Sequence, residues 1–386
     1  MPFQKGTEIK NLKEAGKRIE KAIKKRERII LYGDSDLDGV IAVIILKEAL
    51  RNLGGEISAF YFPDVETEDY GINFNSLESL KKLCPALLIS LDLGISNFEE
   101  IEYAGKLGFE VIVIDHHEII DKLPKASLVV DPKQEKDKYP FKQFAASGLS
   151  FRLAELLLKE RMVDHLRKDL VSLAALATIA DMMAQEQDNL DIIEEGIESL
   201  PQSYRPAIIS LLKEVRGESF NERIQKIIAI LNTRNMVANF PASFRLLSSS
   251  SEGEADDMIK DFLKRNEMRR EKIKELTLDT EDLIARKDED LIFEGGESFD
   301  LDVISAVASR LADKYKKPTF LFKKKKEKSR GAVRSPKGVD VVKAMKACSK
   351  YLETYGGHPQ AAGFRVKNEN IEDFRKCLLE YFSKNI

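Results

Sequence analysis

Short apolar runs rich in β-branched residues recur through the first third of the chain, at residues 29–32, 57–62, 86–91, 111–114 and 128–130. Stretches with apolar residues at helical spacing lie between them, at 40–53, 76–83 and 97–107. Strand-length runs alternating with amphipathic helices predict βαβ units, and therefore a parallel sheet with helices on both faces. Beyond Phe141 the strand pattern stops, and helices are predicted over 150–160, 167–180, 191–199 and 205–215. Residues 254–290 contain neither Gly nor Pro, and their charges are punctuated by Met258, Ile259, Phe262, Leu263, Ile273 and Leu276, the pattern of one long connecting helix. After Gly295 and Gly296 the pattern becomes α+β: a helix at 303–314, strands at 319–322 and 330–334, a helix at 339–354 and a final strand–helix pair.

The chain has 386 residues, which at roughly 100–200 residues per domain predicts at least two domains. With 43% hydrophobic and 33% charged residues it can bury a substantial core, which excludes wholesale disorder and fibrous classes. Apolar runs such as 40–46 fall far short of the ~18–20 residues needed to cross a bilayer, and the polar start lacks a signal peptide's apolar segment. A soluble, cytoplasmic protein with no membrane partner is expected. Cys84, Cys348 and Cys377 are odd in number and unclustered, so neither a disulfide framework nor a zinc knuckle is expected.

Charge is unevenly placed. Residues 290–386 hold 20 Lys/Arg and 13 Asp/Glu, or +7, so the overall −3 leaves −10 for residues 1–289. Within the basic part, residues 323–337 carry eight basic side chains against the single Glu327. A solvated loop between two strands is the bland explanation; phosphate binding is the functional one.

Candidate chemistry gathers at predicted strand ends. GDSDLDG, with Asp34, Asp36 and Asp38, follows the first strand; LDLG puts Asp92 at the end of a later one; VIDHHE puts Asp115, His116 and His117 at the end of the next. In an open parallel sheet the carboxyl ends of the strands share one edge, so these residues converge. Asp181 follows the apolar helix ending ALATIA. A calcium loop is excluded for the first motif, because the Glu required six residues after its Gly is replaced by Ile45. Asp92 alone would read as a helix N-cap, and a lone His pair as structural. Together, clustered carboxylates repel and raise one another's pKa unless a cation neutralises them. Carboxylates with imidazole suit Mn²⁺, with Mg²⁺ as the substitute, and the absence of Cys ligands argues against zinc. Five Asp and one or two His exceed the needs of one ion, whereas two ions about 3.5–4 Å apart would use them and activate water for in-line attack at phosphorus.

GDSDLDG, LDLG, IDHHE and TIADM, in this order and spacing, resemble the four motifs of the DHH phosphoesterase superfamily. DPKQ…YPFKQFAASGLSFRLAELL and AILNTRN…FRLL resemble stretches of its RecJ-like single-strand nucleases, and GESFDLDVISAVASRLADKYKKPTF, GAVRS and GGHPQAAGF resemble the DHH-associated domain. Nearly the whole chain is covered. The resemblance implies a parallel α/β catalytic domain with a helical extension (1–250), a connecting helix (251–289) and a smaller α+β substrate domain (290–386), with the active site in a cleft between them. It assigns Asp34, Asp36 and Asp92 to one Mn²⁺ and Asp38, Asp92, His116 and Asp181 to a second, with His117 on the scissile phosphate and Asp115 orienting the His pair. Arg334, Ser335, Gly356, Gly357 and His358 would hold substrate phosphate, with Ser309 and Arg310 supporting the same surface. Tyr32 stands where several relatives have His.

The activity implied is Mn²⁺-dependent exonucleolytic hydrolysis of single-stranded DNA or RNA to mononucleotides, in a repair or replication setting and with proteins of those processes as candidate partners. A phosphoesterase of very short oligoribonucleotides or nucleotides is the first alternative, and a non-catalytic replication scaffold the second. Because the sequence ends at residue 386 without the oligonucleotide-binding fold of larger RecJ proteins, a minimal type is expected.

Overall fold

The computed structural model describes residues 8–64, 68, 71–119, 122–232, 235–285 and 289–385. Thr233 and Arg234 of the NTRN stretch lie outside them. The chain divides into two compact units, Met1–Phe262 and Leu263–Ile386.

The first unit begins with α1 (Leu12–Lys25), β1 (Arg28–Gly33), α2 (Leu37–Asn52), β2 (Ile57–Tyr61), α3 (Phe74–Leu80), β3 (Ala86–Leu91), α4 (Phe98–Leu107), β4 (Phe109–Ile114) and β5 (Leu128–Val130). All five strands are parallel, in the order β2-β1-β3-β4-β5. Successive side chains on a strand point to opposite faces, and here both faces are covered. Ile29, Leu31, Leu87, Ile89, Ile112 and Ile114 join one core with α1 and α2, while Ile30, Tyr32, Leu88, Val111 and Val113 join another with α3 and α4. The five strands agree with the expected runs. The α1 helix was not expected, because its stripe of Leu12, Ala15, Ile19 and Ala22 is thin in an otherwise charged segment.

The helical extension follows as α5 (Ala146–Leu158), α6 (Asp164–Ala180), α7 (Gln187–Ser199), α8 (Pro206–Glu214) and α9 (Phe220–Leu231), then a hairpin of β6 (Met236–Val237) and β7 (Phe240–Pro241), and α10 (Ala242–Leu247). A buried Arg205–Asp169 pair at 2.6 Å ties α8 to α6, and Arg205 Nη1 also donates to the Leu247 carbonyl, so the buried charges are fully engaged. The expected long helix is α11 (Glu252–Ile284), and the division between the units falls within it. Ala255, Ile259 and Phe262 pack into the first unit's core and Ile273 into the second's.

The second unit contains β8 (Ile292–Gly296), α12 (Leu301–Tyr315), β9 (Thr319–Lys324), β10 (Lys328–Arg334), α13 (Val341–Ala347), β11 (Leu352–His358), β12 (Ala361–Lys367) and α14 (Ile371–Asn385). Its sheet runs β11-β12-β10-β9-β8, antiparallel except for β8 beside β9. Two expectations are corrected here. The helix expected over 339–354 ends at the Cys348 cap, and from Leu352 the chain is strand β11, whose Gly356, Gly357 and outward polar residues hid it. Cys348 and Cys377, expected to be unpaired, form a disulfide that joins the end of α13 to α14 across 29 residues. Cys84 is a free thiol. Among the described residues, no helix is long and apolar enough to cross a membrane.

Candidate metal centre

Each carboxylate of the first unit's motifs is placed by the end of a strand or helix. Asp34 directly follows β1, and its backbone N–H donates to Leu91 O at 3.1 Å. Asp36 is the N-cap of α2, its Oδ1 accepting from the N–H groups of Asp38 and Gly39 at 3.1 Å. Asp38 lies in the first turn of α2, where both its oxygens accept from the start of α5: Ala146 N at 2.7 Å and Ser147 N at 3.0 Å. This helix-terminal pairing favours the ionised carboxylate, but burial and the charge of Asp36 outweigh it and push Asp38 up to about 6.

The turn from Asp34 to α2 requires a glycine. A Cβ on Gly39 would stand 2.6 Å from Asp34 O and 2.7 Å from Asp34 N, so the last glycine of GDSDLDG is what lets the helix start so close to the strand.

Asp92 follows β3 with φ +65°, a left-handed conformation that Asp tolerates better than most residues. It does not cap α4, whose N-cap is Asn97. Asp115 follows β4 and is fully buried, with Oδ1 accepting from the N–H groups of His116 and His117 and Oδ2 from Ile95 N. The same Oδ1 lies 2.7 Å from His117 Nδ1. Burial opposes ionisation of Asp115, yet the His117 charge and hydrogen bond, with His116, hold it well below the usual carboxylate range. Burial likewise opposes the His117 imidazolium, and the Asp115 charge overrides it, raising His117 to about 9. At His116 burial and the His117 charge outweigh the nearby carboxylates and push it down to about 3, leaving a neutral imidazole.

His116 Nε2 stands 3.1 Å from Asp92 Oδ1, 3.5 Å from Asp181 Oδ2 and 3.8 Å from Asp38 Oδ2. Asp181 caps the C-terminal end of α6, where burial and then the charges of Asp38 and Asp36 raise it to about 8. Asp92 is raised well above its ordinary value by burial and by Asp38, Asp36, Asp34 and Asp181. Candidate ligand atoms therefore fall into three groups, each within 4.8 Å: Asp34, Asp36 and Asp92; Asp38, His116 and Asp181; Asp92, His116 and His117. Buried Asp92 Oδ1, His116 Nδ1 and Asp181 Oδ2 make no hydrogen bond. Repelling carboxylates, a neutral imidazole and unsatisfied buried oxygens fit a divalent cation.

Tyr32, in contrast, is absorbed by packing, its hydroxyl 3.0 Å from Ser76 Oγ and its ring stacked on Tyr61.

In the second unit, Arg334 and His358 both pair with Ala361, so they occupy one level of the sheet on the two strands flanking β12. Gly357 has φ +130° and its Cβ would meet Ala361 O at 2.5 Å, whereas a Cβ on Gly356 would enter open space. The Ser335 hydroxyl donates to the carbonyl of Val339 and N–H of Ser335 to that of Gln360, so this residue shapes the loop. Ser309 is half-buried and Arg310 exposed on α12. Lys324, Lys325 and Lys326 form an exposed hairpin tip between β9 and β10, braced by Asn368 Nδ2 donating to the carbonyls of Lys325 and Lys326. Sequence reasoning singled out no role for buried Asp131 at the end of β5, for which a strand followed by Asp-Pro was the available signal.

Comparison with known proteins matches residues 28–178 to the DHH family, N-terminal domain, and residues 288–384 to the DHHA1 domain. The chain is 32% identical over 382 residues to the single-stranded-DNA-specific exonuclease RecJ of Bacillus subtilis, covering 97% of this chain and 48% of that one. It spans about half the length of the curated relatives it matches. Among solved structures it is similar to an exonuclease RecJ bound to manganese, with TM-score 0.81, 26% identity and coverage of 97% of this chain and 95% of that one. It is also similar to RecJ of Thermus thermophilus in complex with Mn²⁺, with TM-score 0.84, 26% identity and coverage of 97% and 55%. With its carboxylate–histidine cluster at the ends of parallel strands, the chain carries the N-terminal domain of the DHH family followed in sequence by a DHHA1 domain.

Proposed function

We propose that the chain hydrolyses phosphodiester bonds of single-stranded nucleic acid from an end, with DNA as the primary substrate, in a reaction that depends on two Mn²⁺ ions or on Mg²⁺ in their place. The observation that carries this reading is the pair of ligand groups: Asp34, Asp36 and Asp92 in one, and Asp38, His116 and Asp181 in the other, with His116 Nε2 3.1 Å from Asp92. Asp92 would be the shared ligand. Bound divalent cations in such a site neutralise phosphate charge and acidify water.

The remaining work falls to side chains of the chain itself. Asp115 fixes His117 through Nδ1 and keeps it an imidazolium near neutral pH, able to hydrogen-bond a phosphate oxygen or give a proton to the leaving oxygen. His116, a neutral imidazole, suits ligation. The N–H groups of Ala146 and Ser147 keep Asp38 oriented. Arg334 and His358 would bind substrate phosphate, with the bidentate guanidinium giving orientation.

End-labelled DNA and RNA oligomers of graded length, single-stranded or in blunt duplexes, test the proposal in Mn²⁺. Rapid release of mononucleotides from single-stranded DNA is expected, with duplex much slower. Equal rates on duplex and single strand, with unwinding excluded, would contradict it.

A further inference from the structure

Four consecutive strands of the first unit's sheet end in a carboxylate: Asp34 after β1, Asp92 after β3, Asp115 after β4 and Asp131 after β5. A polyanionic substrate meets repulsion along such an edge wherever a cation does not offset it. One lysine is built into this edge. Asp131 is fully buried and its Oδ1 accepts from Lys133 N at 2.7 Å, closing a turn that fixes the Lys133 backbone two residues past the strand. The turn lies beside Asp115, whose N–H donates to Val130 O at 3.1 Å.

The Lys133 side chain is only 11% exposed, and its Nζ lies 2.9 Å from Oε1 of Glu118, the residue directly after the His pair. Glu118 itself is 65% exposed. Glu118 keeps most of its contact with water in the pair, so its carboxylate loses little hydration energy by being bound and little by being displaced. The ammonium is thus held by the carboxylate that directly follows the His pair in the chain, a partner that a phosphate oxygen can replace.

We infer that Lys133 is a substrate-binding residue of the hydrolytic site, contacting a phosphate at or next to the scissile bond, and that Glu118 occupies its ammonium when no substrate is bound. This rests on the proposed phosphodiesterase activity and adds a residue to it. Lys supplies a compact point charge on a flexible stem, suited to following a phosphate.

The test compares Lys133→Met, Lys133→Arg and Glu118→Gln with the parent chain, using a 5′-phosphorylated thymidine dinucleotide and a single-stranded 20-mer in Mn²⁺. Lys133→Met should lower kcat/KM about tenfold or more on both lengths and leave Mn²⁺ affinity unchanged. Its log kcat/KM should fall less steeply with log salt, by roughly 0.7 for one lost phosphate contact. Lys133→Arg should recover most of the loss. Glu118→Gln removes the competitor, so it should hold or raise kcat/KM. A parallel loss in Lys133→Met and Glu118→Gln would make the pair structural and overturn the inference. An unchanged salt slope and rate in Lys133→Met, with the parent active, would do the same. Fluorescence anisotropy with a labelled oligothymidylate decides the point separately from cleavage: if the parent does not hydrolyse DNA, the functional proposal fails, while weaker binding by Lys133→Met still supports the contact and equal binding removes it.

Discussion

Gly39→Ala separates helix propensity from site geometry, because the two make opposite predictions. In a helix interior, Gly to Ala ordinarily stabilises by roughly 0.5–1 kcal/mol. At position 39 the new Cβ would lie 2.6 Å from Asp34 O, 2.7 Å from Asp34 N and 2.8 Å from Asp34 Cα, all backbone atoms that cannot rotate away. Reaching ordinary contact at 3.4 Å from 2.6 Å requires α2 and the strand end to separate by 0.8 Å. Overpacking of this kind costs about 1–3 kcal/mol, so after the helix gain a net loss of about 0–2.5 kcal/mol remains. A loss in the middle of that range, about 1–2 kcal/mol, corresponds to roughly 2–8 °C in the melting temperature of the first unit. The shift also displaces Asp34 against Asp36 and Asp38, and a misplacement near 1 Å can cost about a hundredfold in rate. Gly105→Ala on α4, where nothing lies within 4 Å of the added Cβ, is the control and should be stabilising. Calorimetry, Mn²⁺ titration and kcat/KM on single-stranded DNA check the pair. A Gly39→Ala protein as stable and active as the parent would refute the close-approach reasoning.

Mn²⁺ binding should release protons near pH 7, because Asp181 at about 8 is largely protonated there and Asp38 at about 6 becomes so toward pH 6, and cation binding must displace those protons. Apparent affinity should therefore climb as pH rises from about 6 to 8; titration calorimetry in buffers of different ionisation heat reads this, and affinity independent of pH would contradict it. Arg334→Ala and His358→Ala should leave Mn²⁺ affinity intact and weaken oligonucleotide binding, since both residues lie in the second unit's sheet. Changing Lys323, Lys324, Lys325 and Lys326 to Ser should flatten the salt dependence on long strands by roughly 0.7 per lost contact and spare dinucleotides; unchanged behaviour at every length would return the hairpin tip to a solvated loop.

The parallel sheet was legible because strands buried on both faces must be apolar at every position, which makes β1, β3 and β4 nearly continuous runs. Most of the candidate cluster was legible because Asp34, Asp92, Asp115, His116 and His117 follow those strands directly. What escaped depends on partners distant in sequence. Nothing near Asp38 announces that its oxygens receive the N–H groups of Ala146 and Ser147, more than a hundred residues later. The Cys348–Cys377 bond is set by the packing of α13 against α14, which spacing alone does not encode. Strand β11 is exposed along most of its length and contains two glycines, so it carries neither apolar alternation nor β-branched enrichment. Tyr32 could be read as a departure at a site position, yet only the fold reveals that its hydroxyl is satisfied by Ser76 and its ring by Tyr61.

Asp92 and His116 each belong to two of the three ligand groups, and Asp92 is the ligand proposed to be shared by both ions, so its loss should matter most. The decisive measurement is hydrolysis of end-labelled single-stranded DNA in Mn²⁺ by the parent chain and by Asp92→Ala, each with and without EDTA, alongside direct determination of bound manganese. The parent should release mononucleotides, lose that activity in EDTA and recover it on adding Mn²⁺. Asp92→Ala should remain folded, bind less manganese and show no hydrolysis, and should fall below Asp36→Ala and His116→Ala in residual rate. Hydrolysis by Asp92→Ala at the parent's rate, or by the parent in the presence of chelator, would contradict a metal-dependent reaction at this cluster.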